Sequence, residues 1–394
     1  MNPASIRRLH LPALFLICLS LLLIRVSPAE GQRTSVYYPG PGDNWERRKP
    51  EQVGMDAKLF EEAISYAKTR VEPKSVAEVI AARQRQESHP EIIGPTKERG
   101  GQSGVVLRHG YIVAEWGETD RVDMVFSATK SFLSTVAGLA FDRGLIKNVH
   151  DPVKKYVNDG GFDSAHNAKI TWHHFLQQTN EWEGWLWEKP STIDEPRDHK
   201  LQEPGTFYNY NDVRVNRLSL SLLRVWKQPL PELLKKEIMD PIGASDTWQW
   251  NGYRNSEVMI DGKKIVSVSG GGHWGGGLFI HSRDMARFGY LFLRRGKWKD
   301  RQLISEKWID MMTTPSKIKK EEDYGYLWWL TQWPGDAKIT FAARGAGGNQ
   351  IWIDPNNDLV VALHWATNHN EIYKRIRAAV TAPANRGSEP KLNN

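Results

Sequence analysis

Cysteine is nearly absent from this sequence, which holds a single one, Cys18, among 394 residues. A lone cysteine near the N-terminus excludes a disulfide framework and a thiolate metal site in the rest of the chain. Excess positive charge is also slight, because a formal net charge of +7 is spread over the whole length without a long basic run. Nucleic-acid binding therefore has little electrostatic support. The His-Glu-x-x-His spacing is missing too, and we expect neither a metal nor another cofactor.

One long apolar run lies near the N-terminus and covers residues 11–24. It follows two arginines and precedes small residues at 27–29, a pattern typical of a cleaved secretory signal. The run is shorter than the ~20 residues that a membrane span needs. We therefore predict a signal peptide at residues 1–29 and an exported protein, periplasmic or secreted, with no stable membrane insertion after cleavage. An uncleaved anchor is the alternative, and the sequence does not indicate an oligomeric state.

Strand and helix patterns alternate along the rest of the chain. The two-residue turn His109-Gly110 separates apolar runs at 104–108 and 111–116, which predicts a β-hairpin. Residues 71–102 are polar and aperiodic, so we predict a long loop there. Further patterns predict helices at 56–70, 127–141, 172–178, 213–226, 231–239, 283–294, 305–312 and 369–380, and strands at 278–280, 326–330, 339–343, 351–353 and 359–363.

This order of elements predicts an α+β fold, in which an antiparallel sheet is flanked by helices and a mostly α-helical lobe is inserted in the chain. We assign residues 30–150 and 261–394 to the α/β sheet domain and residues 151–260 to the inserted helical domain. Without disulfides the protein depends on its hydrophobic core for stability, and a chain of this length is able to bury one.

The segment Phe126-Ser127-Ala128-Thr129-Lys130 leads into a long apolar helix. Ser127 and Lys130 are three residues apart and share one helix face. A serine hydroxyl becomes nucleophilic when a base takes its proton, and a lysine serves as that base when burial depresses its pKa. The same spacing occurs three more times in the sequence, but only Ser127 stands where a loop enters such a helix. The alternative is that Ser127 caps the helix and Lys130 is solvated.

The sequence around these residues resembles the serine β-lactamase and penicillin-binding-protein superfamily. The resemblance is to the class C-like branch, which includes secreted esterases, DD-peptidases and 6-aminohexanoate-dimer hydrolases. It implies a β-lactamase/transpeptidase-like fold and a catalytic Ser127 and Lys130, without choosing a substrate. The motifs run in order over roughly residues 50–380 and comprise Ser127-x-x-Lys130, Gly144-Leu145-Ile146 with Asp151-Pro152-Val153, Ile170-Thr171 to Thr179-Asn180, Pro204-Gly205 to Asp212, and Gly347-Gly348 ahead of Asp354-Pro355.

The family motif that begins at Pro204 contains a proton-shuttling tyrosine, and two tyrosines are available here. The register of the motif favours Tyr210, and Tyr208 is the rival two residues earlier. The same register puts Asp212 where the family usually has asparagine. Because an ionised carboxylate only accepts hydrogen bonds, we expect Asp212 either to contact an amine-bearing substrate or to form an ion pair with Lys130.

The third family motif, Lys-Thr-Gly or His-Thr-Gly, corresponds to Ala343-Arg344-Gly345 in this sequence. The usual cation and hydroxyl are therefore missing. Arg344 is the candidate for binding a substrate carboxylate, and the alternative has it solvated on the outer face of the strand. Gly345 allows close backbone approach, and the resemblance implies an oxyanion hole made by the N–H groups of Ser127 and Ala346.

Two further residues are assigned to the substrate cleft. His273 lies among six glycines, which allow tight backbone turns near a site. Trp182 follows the turn at 179–180 and is one of 17 tryptophans. An aromatic wall there suits an apolar or planar acyl group. Packing in the core is the alternative for the tryptophans.

We therefore predict an exported serine hydrolase that cleaves an ester or small amide through an acyl-enzyme on Ser127. Its partner is a small-molecule substrate, with no nucleic acid involved. A DD-peptidase or β-lactamase is the second hypothesis. A non-catalytic, tryptophan-rich ligand-binding member of the same fold is a third hypothesis, from another functional class.

Overall fold

A computed structural model of the chain describes residues 36–84, 87–193, 195, 199–318 and 323–381. The predicted signal peptide and Cys18 lie outside these residues, so export stays a prediction. Within the ranges given, no helix has the length and apolar composition that a bilayer crossing requires.

The β-strands of the described residues form two larger sheets and two short hairpins. In chain order the strands are β1 (Ser103–Arg108), β2 (Tyr111–Trp116), β3 (Asp123–Met124), β4 (Trp185–Leu186), β5 (Lys189–Pro190), β6 (Gln249–Ile260), β7 (Lys263–Val268), β8 (Gly277–Ile280), β9 (Lys297–Trp298), β10 (Arg301–Gln302), β11 (Trp329–Thr331), β12 (Thr340–Gly345), β13 (Asn349–Asp354) and β14 (Leu359–His364). One sheet has six antiparallel strands in the order β11-β12-β13-β14-β1-β2. The predicted hairpin is β1–β2, and His109 and Gly110 both have a positive φ, as its tight turn requires.

Helices cover both faces of the six-stranded sheet. In chain order the α-helices of the described residues are α1 (Ala57–Lys68), α2 (Val76–Gln84), α3 (Thr129–Asp142), α4 (Trp172–Leu176), α5 (Asp212–Trp226), α6 (Leu230–Leu234), α7 (Ser282–Leu293), α8 (Glu306–Met312) and α9 (His369–Ala378). Of these, α1 and α9 pack on one face of the sheet, and α3 and α7 lie on the other. Side chains alternate between the faces of a strand, so Val106 packs with α1 and α9 whereas Val105 and Leu107 face the core that contains α3 and α7. The predicted α+β class is therefore confirmed.

The second sheet has the strand order β3-β8-β6-β7, and its strand β6 lies in the segment that was predicted to be a mostly helical insert. Helices α4, α5 and α6 lie where helices were predicted, but β6 occupies the last 12 residues of that segment. A mostly helical insert is therefore wrong for residues 249–260. The register of β6 against β7 shifts between Gly252 and Glu257, and this irregularity interrupts the alternation by which a strand is recognised in a sequence. The domain boundaries themselves stay a prediction.

Residues 71–102, which were predicted to be a loop, contain the helix α2. Its apolar face packs in a small cluster with Phe126, the residue just before Ser127. A helix of nine residues offers too few turns for its period to stand out in a polar stretch. The apolar face of α2 consists of Val76, Val79 and Ile80.

Candidate active site

Ser127 lies in a single 3-10 turn, Phe126–Ala128, directly before α3. Phe126 has a φ of 49°, a left-handed conformation that costs a non-glycine residue about 1–3 kcal/mol and is common beside functional groups. The α-helix begins at Thr129, whose hydroxyl accepts a hydrogen bond of 3.0 Å from the Leu278 N–H. The N-cap position belongs to the residue after Ser127, so the alternative of a purely capping serine is wrong.

Lys130 contacts both the serine and an acid. Its Nζ donates a hydrogen bond of 3.0 Å to Ser127 Oγ and one of 2.6 Å to Asp212 Oδ1. The side chains of Lys130 and Asp212 are 1% and 4% exposed. Burial acts to lower the pKa of Lys130, but the charge of Asp212, together with hydrogen bonds to Asp212 and Tyr210, outweighs burial and raises it. The raised pKa favours the ammonium form of Lys130, contrary to the expectation that desolvation lowers this pKa.

Asp212 supplies the counter-charge for this ammonium group. Burial acts to raise the pKa of Asp212, yet the charge of Lys130 and the contact with His273 hold it below its usual value. The pair lies directly against Gly271, where a Cβ atom would stand 1.8 Å from Asp212 Oδ1 and 2.4 Å from Lys130 Nζ. Glycine is therefore required at this position. Of the two alternatives for Asp212, the geometry supports the ion pair with Lys130.

Tyr210 is the tyrosine that lies beside Lys130. The Lys130 Nζ is 4.6 Å from the centroid of the Tyr210 ring. Trp329 stacks on the same ring, with centroids 5.8 Å apart and an interplanar angle of 28°. Tyr208 packs against Tyr324 in an edge-to-face arrangement, with centroids 5.6 Å apart. These contacts favour the register that assigns the proton-shuttling role to Tyr210.

The end of β12 lies against the turn that carries the nucleophile. A Cβ atom at Gly345 would stand 1.9 Å from Val125 O and 3.1 Å from Ala128 N. The close backbone approach predicted for Gly345 is therefore present. Ala346, the first residue after β12, packs against the cluster that contains Phe126, the residue before Ser127. The oxyanion-hole role of the two N–H groups stays a prediction.

Arg344 borders the aromatic group around Tyr210. It is half-buried and pairs with Gln350 across β12 and β13. Its guanidinium carbon lies 5.5 Å from the centroid of the Trp329 ring, the ring that also stacks on Tyr210. This position does not match a fully solvated arginine, and carboxylate binding by Arg344 stays a prediction.

His273 belongs to a buried chain of hydrogen-bonding and charged side chains that leads to Lys130. Its Nδ1 lies 3.4 Å from Asp212 Oδ2, and its Nε2 is hydrogen-bonded to Glu87 Oε1. Glu87 Oε2 accepts a hydrogen bond of 2.9 Å from the Trp274 indole N–H. The sequence singled out His273 for the substrate cleft, whereas the structure places it against Asp212. Glu87 was missed, because no local pattern connects it to residues so distant in the chain.

Trp182 does not line an open cleft, so the prediction that it binds substrate is wrong. Only 3% of its surface is exposed. Its indole N–H donates a hydrogen bond of 2.8 Å to Gly161 O, and the Arg217 guanidinium lies 5.9 Å from its ring centroid. The large apolar surface of this ring is used for packing. Trp185 is the exposed tryptophan of this segment, at 64%.

A cluster of metal-ligand-type side chains lies near the segment that carries Tyr210. Within the described residues, ligand atoms of Glu181, Glu195 and His199 lie within 4.8 Å of one another. Arg214 already contacts both carboxylates, at 2.6 Å and 2.7 Å. Asn209 donates a hydrogen bond of 2.9 Å to Glu195, which ties the cluster to this segment. We interpret it as a charge-compensated structural cluster and assign no metal to it.

Comparison with known proteins agrees with this geometry. The Beta-lactamase family model matches residues 91–385. The 6-aminohexanoate-dimer hydrolase of Paenarthrobacter ureafaciens is 22% identical over an alignment of 367 residues, and the match covers 82% of this chain and 89% of that protein. A family VIII carboxylesterase has a TM-score of 0.54 at 17% identity and covers 83% of this chain and 98% of that one. A D-stereospecific amidohydrolase from Streptomyces sp. has a TM-score of 0.52 at 17% identity, with coverages of 76% and 97%.

At these identities the solved structures show the fold alone, which is the β-lactamase/transpeptidase-like α+β fold. The family model covers well over half of the chain, and its range includes Ser127, Lys130, Tyr210 and Asp212. The motifs quoted from the sequence lie almost entirely within the same range. The chain therefore belongs to the Beta-lactamase family of serine hydrolases.

Proposed function

We propose that this hydrolase cleaves carboxylic esters and small amides through an acyl-enzyme on Ser127. The proposal is carried by the hydrogen bond from the Lys130 ammonium to Ser127 Oγ, at a turn that touches the end of β12. A nucleophile and a positive charge meet at this point, and we assign the N–H groups of Ser127 and Ala346 as the donors to the oxyanion. We also propose that the protein acts outside the cytoplasm, because residues 1–29 have the features of a secretory signal.

Tyr210 is the group that we assign to proton transfer, because Lys130 already carries its proton. In its deprotonated form Tyr210 takes the hydroxyl proton of Ser127 while Oγ bonds to the carbonyl carbon. The carbonyl oxygen becomes an anion that the N–H groups of Ser127 and Ala346 stabilise. Tyr210 then gives its proton to the leaving alcohol or amine, and the acyl-enzyme remains.

Water completes the reaction by the same route. A water molecule attacks the acyl carbon as one of its protons passes to Tyr210. The carboxylic acid leaves, and the proton returns to Ser127 Oγ. Lys130 keeps its proton throughout and stabilises the negative charge on Tyr210, while Asp212 holds Lys130 in place.

Two departures from the family motifs support esters and small amides over β-lactams. Asp212 stands where asparagine is usual, and its oxygens face Lys130 and His273, so no side-chain amide is offered to a β-lactam at this point. The Lys-Thr-Gly motif is replaced by Ala343-Arg344-Gly345.

A comparison of probes tests the proposal. A fluorophosphonate should label the protein at Ser127, and p-nitrophenyl esters of short acids should be hydrolysed far faster than nitrocefin. Preferential turnover of nitrocefin or of a D-alanyl-D-alanine peptide would contradict the proposal and identify a β-lactamase or DD-peptidase. A folded protein that neither reacts with the fluorophosphonate nor turns over any probe would be the non-catalytic ligand-binding member.

Replacement of Tyr210 by phenylalanine is expected to lower kcat for an ester by at least ~10²-fold, the usual worth of general acid–base assistance. Tyr208→Phe is the matched control, since it removes the same hydroxyl two residues away. It should lower kcat far less, because Tyr208 packs on Tyr324. Steady-state kinetics of both variants provide the measurement, and a larger loss for Tyr208→Phe would show that the register is wrong by two residues.

Arg344→Ala is expected to raise KM for an ester that carries a carboxylate by about 10- to 100-fold. Charge-assisted pairs of arginine and carboxylate are worth ~1.5–3 kcal/mol, and ~1.4 kcal/mol corresponds to one decade. A neutral ester such as p-nitrophenyl acetate should be nearly unaffected. Arg344→Lys keeps the charge without the bidentate geometry and should give an intermediate KM. Equal changes in KM for the acidic and the neutral ester would show that Arg344 does not bind the carboxylate of the substrate.

A further inference from the structure

Glu87 is carried by a short strap, residues 87–95, that crosses the glycine loop at residues 270–277. Two consecutive N–H groups of the strap donate hydrogen bonds of 3.0 Å and 2.9 Å to Trp274 O. The ammonium group of Lys189, which is 2% exposed, donates to two carbonyl groups of the same strap. These bonds hold the strap against the loop, and the contacts with His273 and Trp274 place the Glu87 carboxylate.

The Glu87 carboxylate connects to the nucleophile through three buried side chains. Glu87 and His273 are 5% and 6% exposed. Glu87 Oε1 is hydrogen-bonded to His273 Nε2, and the opposite ring nitrogen faces Asp212 Oδ2 at 3.4 Å. Asp212 Oδ1 accepts the hydrogen bond from Lys130, which donates in turn to Ser127 Oγ. The chain of contacts is continuous from the strap to the reacting oxygen.

We propose that Glu87 is a positioning residue of this hydrolase, which acts through His273 on Asp212 and so sets the distance between Lys130 Nζ and Ser127 Oγ. The inference rests on the proposed function of Ser127. Glu87 itself contacts His273 and Trp274 and is not a catalytic residue.

The physical reason lies in the freedom of the imidazole ring. A carboxylate in contact with one ring nitrogen fixes which atom the ring presents on its other side. Without Glu87 the ring of His273 is able to turn away, and the Asp212 carboxylate then loses its second contact and rotates. Lys130 moves with Asp212, because its hydrogen bond to Asp212 is shorter than its hydrogen bond to Ser127. A displacement of Lys130 lowers kcat and leaves KM unchanged, since none of these groups holds the substrate.

A double-mutant cycle tests this inference. Glu87→Ala is expected to lower kcat for the ester by about 10- to 100-fold with KM unchanged. Glu87→Gln should retain most of the wild-type kcat, because the glutamine side-chain amide is able to form hydrogen bonds with both the His273 ring nitrogen and the Trp274 indole N–H. In His273→Asn the amide nitrogen takes the place of Nδ1 and needs no support from Glu87. Adding Glu87→Ala to His273→Asn should therefore change kcat by no more than about twofold.

Glu91→Ala is the matched control, because it removes a carboxylate from the same strap, 65% exposed and directed to Lys189. It should leave kcat unchanged within about twofold. The inference would be overturned if Glu87→Ala lowered kcat equally in the wild-type and His273→Asn backgrounds. It would also be overturned if Glu91→Ala lowered kcat as much as Glu87→Ala does. Either result would leave the Ser127-dependent turnover of the proposed function unaffected.

A second measurement does not depend on turnover. Nitrogen-15 NMR of labelled histidine reports the protonation and hydrogen bonding of the two His273 ring nitrogens in wild type, Glu87→Ala and Glu87→Gln. We expect the Nδ1 resonance to shift in Glu87→Ala and to stay close to wild type in Glu87→Gln. An unchanged His273 spectrum in Glu87→Ala overturns the inference even if every ester probe fails, whereas failure of the probes alone bears on the proposed function.

Discussion

Ser127→Ala is expected to abolish ester hydrolysis in a protein that remains folded. The change removes one hydrogen bond, from Lys130 to Ser127 Oγ, which contributes about 0.5–1.5 kcal/mol to stability. Lys130 keeps its stronger partner, Asp212. The neighbouring hydroxyl of Thr129 accepts the Leu278 N–H and is fixed at the glycine loop. We expect kcat to fall by roughly 10⁴-fold or more, the scale of loss when a serine nucleophile is removed.

Initial rates on a p-nitrophenyl ester and a thermal melt provide the two measurements. Ser131→Ala is the matched control, because it makes the same chemical change one helical turn further on. The Ser131 hydroxyl donates a hydrogen bond of 2.8 Å to Leu327 O and so has a structural role. Its variant should lose stability by about 1 kcal/mol and keep its turnover. Retained hydrolysis in folded Ser127→Ala would refute the acyl-enzyme mechanism.

Lys130→Met is expected to reduce kcat by ~10²- to 10⁴-fold and to destabilise the protein at the same time. Activity falls because the positive charge beside Ser127 and Tyr210 is lost. Stability falls because Asp212 is then a buried carboxylate without its ammonium partner, a change that typically costs ~3–5 kcal/mol. Urea unfolding and steady-state kinetics measure the two losses separately.

The double variant Lys130→Met with Asp212→Asn separates structure from chemistry. Removal of both charges avoids an unpaired buried ion, so most of the lost free energy of unfolding should return. Turnover should not return, because the ammonium group is still missing. Recovery of hydrolysis along with stability would mean that Lys130 has only a structural role. A double variant as unstable as Lys130→Met would show that the ion pair is not the source of the loss.

The elements that local patterns specify were predictable from the sequence. The β1–β2 hairpin depends on two adjacent turn residues, and α3 on a continuous apolar stretch. The helix α2 and the strand β6 were not recognised, because one is short and the other has a shifted register. The order of the six-stranded sheet depends on packing between distant segments, and no local pattern contains it.

In the active site, too, the features given by local sequence patterns were predictable and those that depend on tertiary contacts were not. Ser127 and Lys130 are three residues apart, so one helix face brings them together, and Tyr210 follows from the register of a family motif. The predicted direction of the Lys130 pKa shift was wrong, because it took account of burial alone, whereas the ion pair with Asp212 was only one of two alternatives in the sequence and is 2.6 Å long in the structure. Glu87 reaches His273 only through tertiary structure. The burial of Trp182 likewise depends on neighbours that the sequence does not reveal.

The pairing of β1 with β14 has a consequence for biosynthesis. Ser103 pairs with His364, and β12, the strand that packs against the turn carrying Ser127, likewise follows that turn by more than 200 residues. Ser127 and Lys130 leave the ribosome long before these strands. Pairing between segments so far apart is slow, because a long loop must close before its contacts form. The turn that carries Ser127 therefore lacks its β12 neighbour until residues 340–345 have been synthesised and have folded onto it.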